Sequence, residues 1–588
     1  MTKFELVNAA SGDVNLIYNG IPLHCNNNPQ QEAMTEFQKI KNLTSKNIVI
    51  IIGLGLGYLL KRVFISSKCR IIVHESNENI SEFTLKAVDF KEELQSGRVF
   101  ITNTIDELSS TLAKVYGFND NVNVLKLKSS DLLYPDLIKN LNFELPAIVA
   151  TLQSNFTTLS KMSWPWLRNS LYKLRTDKPD YALSILEGKF KDKAALIISA
   201  GPSLDKNIDI IKQNREKFII FCVNVAYKKL MLAGIIPDFT FYIDAGNFLY
   251  TINNYDHSNT NIITHPVAYM RILEELNPNK FFTFYCKNDL LSRWVAKFSD
   301  FSLENYETKG SVSHLALLTA CNMGCNPIIL TGQDLAYTDG KYYSSGSFWS
   351  EGCENNERFE KKLKKLQETG SIKVKGQNGE ILLSSPDYAG FINHFEEFAR
   401  GHKIKLINCS TGGAQINGFE NRDLSEIASE LNTLNMNINE FLDNIIQTET
   451  DPVKANYSKI QDQLKLFAND VQKAYSVTEK GLQNIRNLEQ ELRKPYINSA
   501  KVGQLANKSL ILFNELENDL FKKWNFSLLL AYKELMEFYA IMDDEANKDN
   551  NTLIFELAKT LRPLFEVAGE RLKRLNRGLL PKILGQII

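Results

Sequence analysis

The sequence predicts an α/β protein with two successive parallel-sheet regions followed by an all-α C-terminal region. Three observations carry this. Short apolar runs rich in β-branched and aromatic residues alternate with helical periodicity up to about residue 420. That alternation is the pattern of a parallel sheet covered on both faces. Two of the runs end in glycine-bearing turns that open helices, Gly53-Leu54-Gly55-Leu56-Gly57 and Gly201-Pro202-Ser203-Leu204-Asp205. From about residue 421 glycine and proline thin out and apolar residues fall at helical spacing, as in Leu424, Ile427, Leu431 and Leu434, then Leu464, Phe467 and Val471. The domains so implied are residues 1–170, Rossmann-like; 171–420, a second and catalytic α/β domain; and 421–588, helical.

A chain of 588 residues is too long for one hydrophobic core. Its 44% apolar and 23% charged residues are ordinary for a globular protein. The 68 basic and 68 acidic side chains cancel, which argues against a general nucleic-acid binder, because such a protein carries a phosphate-neutralising excess. The first residues lack the basic and apolar regions of a signal peptide. The most apolar run, Ile48–Ile52, stops at Gly53, far short of a membrane span. A cytoplasmic protein with no membrane span is expected. The eight cysteines show no C-x-x-C pair, and Cys321 and Cys325 fall inside an apolar helical pattern, so neither disulfides nor a metal site is expected.

In the first region, Ile48–Ile52, Arg70–His74 and Arg98–Ile101 read as buried strands. The Gly53–Gly57 loop follows one strand, and Glu75 closes the next. That is the arrangement in which glycines admit a pyrophosphate and an acid holds a ribose. The same glycines also serve a tight turn that is needed only for packing.

The second region begins after Ser163-Trp164-Pro165-Trp166. Its strands are expected at Ala194–Ser199, Phe218–Val223, Phe239–Ile243, Phe281–Tyr285, Pro327–Thr331 and Lys403–Ile407. At Gly201-Pro202-Ser203 a strand turns into a helix, leaving backbone N–H groups and the positive end of the helix dipole for an anion. Asn224 closes the next strand, where an amide can donate to or accept from a base or sugar. Asp244 closes the strand after that and suits a ribose. Ser311 and Ser313 open an apolar helix and suit a carboxylate ligand or capping, and His314 follows on its first turn. Gly332-Gln333-Asp334 leads into a loop bearing Tyr337, Tyr342 and Tyr343, whose hydroxyls can serve a phosphate leaving group.

The stretch from Ala200 to Asp244, together with Gly332–Gly340 and Asn408-Cys409-Ser410-Thr411-Gly412-Gly413-Ala414, resembles the motility accessory factor family of bacterial flagellin glycosyltransferases. The central region is also similar to bacterial sialyltransferase domains. The resemblance implies transfer of a nonulosonic acid, of the pseudaminic or legionaminic type, from its CMP-activated donor to Ser or Thr of flagellin. It implies donor contacts at Gly201, Pro202, Ser203, Asn224, Asp244, Ser311, Gly332, Gln333, Tyr337, Tyr343, Gly412 and Gly413. Ser311 would take the sugar carboxylate, and Tyr337 and Tyr343 the leaving phosphate. No cofactor and no metal are implied. The sialyltransferase pattern carries a base histidine between the tyrosine loop and the last helix. Here that stretch, Gly379–Asp387, has none. Asp334, Glu380 and His314 are the candidate bases.

The expected chemistry is an inverting displacement: an acceptor hydroxyl attacks the anomeric carbon, CMP departs, and helix N–H groups and phenols stabilise its phosphate. A rival reading is an ATP-dependent pterin diphosphokinase, whose magnesium would need Asp238, Asp244 and Asp334 brought together. A third is a flagellin-binding export factor without catalysis.

Overall fold

The computed structural model describes residues 3–41, 43–44, 46–117, 120–174, 180–249, 252, 254–299, 303, 311–347, 361, 364, 372–542 and 550–585, without the side chains of 142–144, 147 and 339. They divide into two compact units: residues 1–163, 476–516 and 530–569, and residues 164–475, 517–529 and 570–588. The predicted α/β architecture with a C-terminal helical region is what the chain adopts, and the C-terminal helices are shared between the two units. No described helix is long and apolar enough to cross a membrane.

The first unit opens with an antiparallel meander of β1 (Phe4–Asn8), β2 (Val14–Tyr18) and β3 (Ile21–Pro22). A parallel sheet follows, made of β4 (Asn47–Ile52), β5 (Arg70–His74), β6 (Val99–Thr102) and β7 (Asn121–Lys126), in the order β6-β5-β4-β7. Every residue of β4 is buried, because the sheet is covered on both faces. Val49, Ile51, Ile71 and Val73 pack on one side with Leu59, Leu60 and Val63, while Ile48, Ile50 and Ile72 pack on the other with Leu108 and Leu112.

The second unit is built on a nine-stranded sheet whose pairings are all parallel. Its central strands are β9 (Ala195–Ile198), β10 (Ile219–Val223) and β11 (Phe239–Tyr242), flanked by β12 (Asn261–Thr264), β13 (Lys280–Thr283) and β8 (Asp180–Ala182). On the other side of β9 lie β14 (Ile328–Thr331), β17 (Leu406–Asn408) and β18 (Glu420–Asn421). A separate hairpin, β15 (Ile372–Lys375) and β16 (Ile381–Ser384), precedes the helix Pro386–Gly401. From β9 the chain winds outward through β10 to β13, then returns to place β14 against the opposite edge of β9. The order therefore reverses between β9 and β14, and such a switch leaves a crevice at the carboxyl ends of the strands.

Leu424 and Ile427 lie buried on the helix Leu424–Glu430, as their spacing predicts. Leu431 and Leu434 fall beyond its end, and Leu434 donates its N–H to the Glu216 carbonyl. That segment belongs to the cover of the nine-stranded sheet, where Leu424, Ile427 and Ala428 join the core. Leu464, Phe467 and Val471 are fully buried on the helix Tyr457–Leu492.

Candidate functional site

At the switch point lies a cavity of about 200 Å³. The carboxyl ends of β9 and β10 supply Ser199, Gly201 and Asn224, and the turn after β14 supplies Gly332, Gln333 and Asp334. Ser311, Val312 and Ser313 border it from the start of the helix Val312–Asn322. Tyr342, Tyr343, Tyr388 and Phe391 form an aromatic side. Of the residues singled out in the sequence, Gly201, Asn224, Ser311, Gly332, Gln333, Asp334 and Tyr343 therefore converge on one space.

The Gly201-Pro202-Ser203 turn has an occupant of its own. Ser203 donates its N–H to Asp334 Oδ2 at 3.1 Å and its hydroxyl to Asp334 Oδ1 at 2.5 Å. Gly201 donates its N–H to the Gly332 carbonyl at 2.7 Å. The sequence leaves this helix start open to an external anion or to an ordinary strand-to-helix turn; the structure supplies the Asp334 carboxyl group there. The physical reason is the close approach of two strand-to-helix turns. A Cβ on Gly332, at φ +67°, would stand 2.1 Å from the Ser199 carbonyl oxygen, and one on Gly201 would stand 2.3 Å from Asp334 Oδ1. Burial raises the Asp334 pKa above the ordinary carboxylate range, while its bonds from Ser203 oppose that shift. Pro202 and Ser203 are buried behind the cavity wall rather than lining it.

Gly412 and Gly413 also lie behind the wall. Gly413 allows its loop to rest on Asp334, whose Cα would be 2.7 Å from an added Cβ, and Ala414 donates its N–H to the Asp334 carbonyl. Thr338 donates its hydroxyl to the Gly412 carbonyl at 3.1 Å. Ser410 and Gln333 complete the knot: the Gln333 N–H donates to Ser410 Oγ at 2.8 Å, and the Ser199 hydroxyl donates to Gln333 Oε1.

The tyrosines divide by position. Tyr343 faces the cavity, and burial pushes its phenol up to about 12, so it is a neutral donor at physiological pH. Tyr337 stands behind Tyr342 and donates to its hydroxyl at 2.9 Å. Tyr342, one of the three loop tyrosines named from the sequence, lines the cavity too, and burial raises the phenols of Tyr342 and Tyr388. Tyr388 and Phe391 were not singled out. A signal for the last two was present. Ser385 caps the helix Pro386–Gly401, with Pro386 in its first turn, and Tyr388 and Phe391 follow at i, i+3 spacing on one face.

Ser311 does not cap its helix through its side chain; its hydroxyl pairs with Ser313 at 2.8 Å. The first N–H groups of that helix thus adjoin the cavity, a placement that favours a carboxylate or phosphate. Gly310 lies outside the described residues. His314 turns away from the cavity, with its ring centroid 5.7 Å from that of Phe395 and 6.2 Å from that of Phe398. Glu380 sits in the β15–β16 turn, accepting from the Asn378 N–H at 2.9 Å, and is not among the lining residues. Asp244, just past β11, is half-buried beside Asn224, with its pKa raised by burial and the Asn224 amide opposing that shift.

The Gly53–Gly57 loop in the first unit is closed by the protein itself. Leu54 donates its N–H to Glu75 Oε2 at 2.9 Å, and Leu56 donates to His24 Nε2 at 2.7 Å. Glu75 also accepts from Tyr134 and from the Asn77 N–H. A Cβ on Gly55, at φ +51°, would lie 2.4 Å from His24 Nε2, and one on Gly57 would lie 2.3 Å from the Phe90 ring. The space and donors that a dinucleotide would use are taken by His24, Glu75 and Phe90. These glycines serve packing.

Three comparisons bear on the chain. A family model described as 6-hydroxymethylpterin diphosphokinase MptE-like matches residues 169–340. An uncharacterized protein of Treponema pallidum (strain Nichols) is 36% identical over 83 residues, which are 13% of this chain and 37% of that protein. The chain thus matches little more than a third of that relative's length. Among solved structures, a MAf glycosyltransferase from Magnetospirillum magneticum AMB-1 is similar over 99% of this chain and 94% of its own, with a TM-score of 0.63 and 14% sequence identity. At that identity the likeness shows a shared fold.

Proposed function

We propose that this protein is a glycosyltransferase that moves a nonulosonic acid from its CMP-activated form to a serine or threonine of flagellin in the cytoplasm. The observation that carries the reading is the cavity at the β9/β14 switch, which sets an anion-seeking helix start opposite a wall of phenols. The fold shared end to end with a MAf glycosyltransferase supports it.

Ser311, Ser313 and the first N–H groups of the helix Val312–Asn322 would receive the sugar carboxylate. Tyr343 and Tyr342 would donate to the phosphate as it gains charge, with Tyr337 fixing the Tyr342 hydroxyl. Asn224 would meet the nucleoside, and Gly201, Gly332 and Gln333 would shape the floor beneath it. Neutral phenols suit this task because they donate without needing to lose a proton. The donor is larger than 200 Å³, so it would extend through the mouth of the cavity toward the acceptor. The reaction proposed is a direct displacement with inversion, needing neither cofactor nor metal. The identity of the nonulosonic acid is left to the test.

The MptE-like match over residues 169–340 favours a second reading, a pterin diphosphokinase using ATP and magnesium. The carboxylates it needs lie apart. Asp238 precedes β11, at the amino end of the sheet, where Arg215 holds it at 2.8 Å and the Ile220 N–H donates to it. Asp334 is engaged with Ser203, and Asp244 with Asn224. Thermal stabilisation separates the readings. CMP is expected to raise the melting temperature and ATP with magnesium to leave it unchanged. The reverse result would establish the kinase reading, and no effect of either would favour a flagellin-binding factor without catalysis.

A further inference from the structure

We propose that Asp244 is the general base that takes the proton from the acceptor hydroxyl. The inference rests on the transferase reading above.

Geometry singles out this carboxylate. It stands at the carboxyl end of β11, the strand beside β10, on the same edge of the sheet as the cavity. Its side chain lies beside that of Asn224, which lines the cavity. The backbone that carries it is pinned from two directions. Tyr269 donates its N–H to the Asp244 carbonyl at 2.8 Å. Asn169, fully buried, donates from Nδ2 to the carbonyls of Ala245 at 3.0 Å and Val267 at 2.9 Å. The main chain that carries the carboxylate is thereby fixed, which favours proton transfer at a constant distance.

Asp334 and Glu380, the two acids the sequence offered as bases, are engaged elsewhere. Asp334 holds Ser203, and Glu380 holds its own hairpin turn. Among the described residues no lysine, arginine or histidine is paired with Asp244. Its surroundings contrast with those of Asp205, which pairs with Lys229, and Asp238, which pairs with Arg215. Burial without a cation raises its pKa above the ordinary carboxylate range, which brings it closer to that of a useful base.

The step balances. The acceptor O–H bond breaks and its proton passes to the Asp244 carboxylate, while the oxygen bonds to the anomeric carbon. The bond from that carbon to the phosphate oxygen breaks, and its electron pair leaves with CMP. Asp244 then returns the proton to solvent.

The test uses the full chain, CMP as the binding probe and a CMP-activated nonulosonic acid with flagellin as substrates. Asp244→Asn is expected to lower the transfer rate at saturating donor by about 10²- to 10⁴-fold. Stabilisation by CMP should match that of the wild type. Asp244→Ala is expected to regain rate when formate is added, because a small carboxylate can enter the space. Asp244→Glu keeps the charge and should retain CMP stabilisation and partial transfer should Asn fail to fold. Transfer by Asp244→Asn within about threefold of the wild type would overturn the base role. Loss of CMP stabilisation in step with rate, or absence of formate rescue, would also overturn it and make Asp244 a donor contact. A wild-type protein that neither binds CMP nor transfers would overturn the transferase reading, and the base role with it.

Discussion

Replacing Asp334 with alanine tests how the wall of the cavity is held. Two donors lose their acceptor: the Ser203 N–H at 3.1 Å and the Ser203 hydroxyl at 2.5 Å. Ser203 is 1% exposed, so water cannot replace the lost partner without opening the turn. Each bond contributes roughly 1 to 2 kcal/mol, and a buried orphan N–H costs a further 1 to 3. The expected loss is about 3 to 7 kcal/mol, local to the start of the helix Leu204–Gln213. Asp334→Asn keeps the shape and one acceptor oxygen, and should lose about 1 to 2 kcal/mol. A chain of two units is not expected to unfold in one step, so global melting is the wrong readout. Hydrogen exchange followed by mass spectrometry reads the helix directly. Amides of Leu204–Gln213 should exchange about 10²- to 10⁵-fold faster in Asp334→Ala, while those of the helix Tyr457–Leu492 stay as in the wild type. Equal exchange in the wild type and Asp334→Ala would refute the reasoning, as would an Asn variant as damaged as the Ala variant.

Other perturbations give equally definite outcomes. His24 is buried and neutral, with its pKa lowered to about 4 from 6.5, and its Nε2 accepts from Leu56. Below pH 6.5 the unfolded chain gains a proton that the folded chain refuses, so stability falls as pH drops, by about 3 kcal/mol at pH 4. Exchange of the 53–60 segment, corrected for its intrinsic pH dependence, should show that loss in the wild type and not in His24→Gln. Gly332→Ala forces a left-handed backbone and a clash with the Ser199 carbonyl, and should give little folded protein on size-exclusion chromatography. Tyr343→Phe and Asn224→Ala should each cut transfer about tenfold or more with the fold intact by circular dichroism. Full activity in either would remove that residue from the donor site.

The central strands were legible because β9, β10, β11 and β14 are short and bounded by turn residues, and are apolar or aromatic but for one threonine in each of β11 and β14. β12, Asn-Ile-Ile-Thr, is equally buried but carries polar residues at both ends, where Asn261 donates to the Asp238 carbonyl and to Asn439. β7 alternates asparagine with valine at the sheet edge, so its apolar signal is halved. Periodicity therefore passed over both. In the site, residue types at strand ends identified Gly201, Asn224, Gly332 and Tyr343, since topology brings such ends together. It did not reveal that Asp334 answers Ser203, because the pairing spans 131 positions and depends on two turns meeting. The same limit applies to His24 and the Gly53–Gly57 loop, where the residue that fills the site comes from 32 positions away.

Intact-mass analysis of flagellin, co-expressed with this chain and a pathway that makes a CMP-activated nonulosonic acid, tests the proposed transfer most directly. The expected result is a mass increase of one or more nonulosonic acid residues, located on serine or threonine and abolished by Asp244→Asn. Flagellin that stays unmodified with the pseudaminic, legionaminic and keto-deoxyoctulosonic acid pathways alike would contradict it.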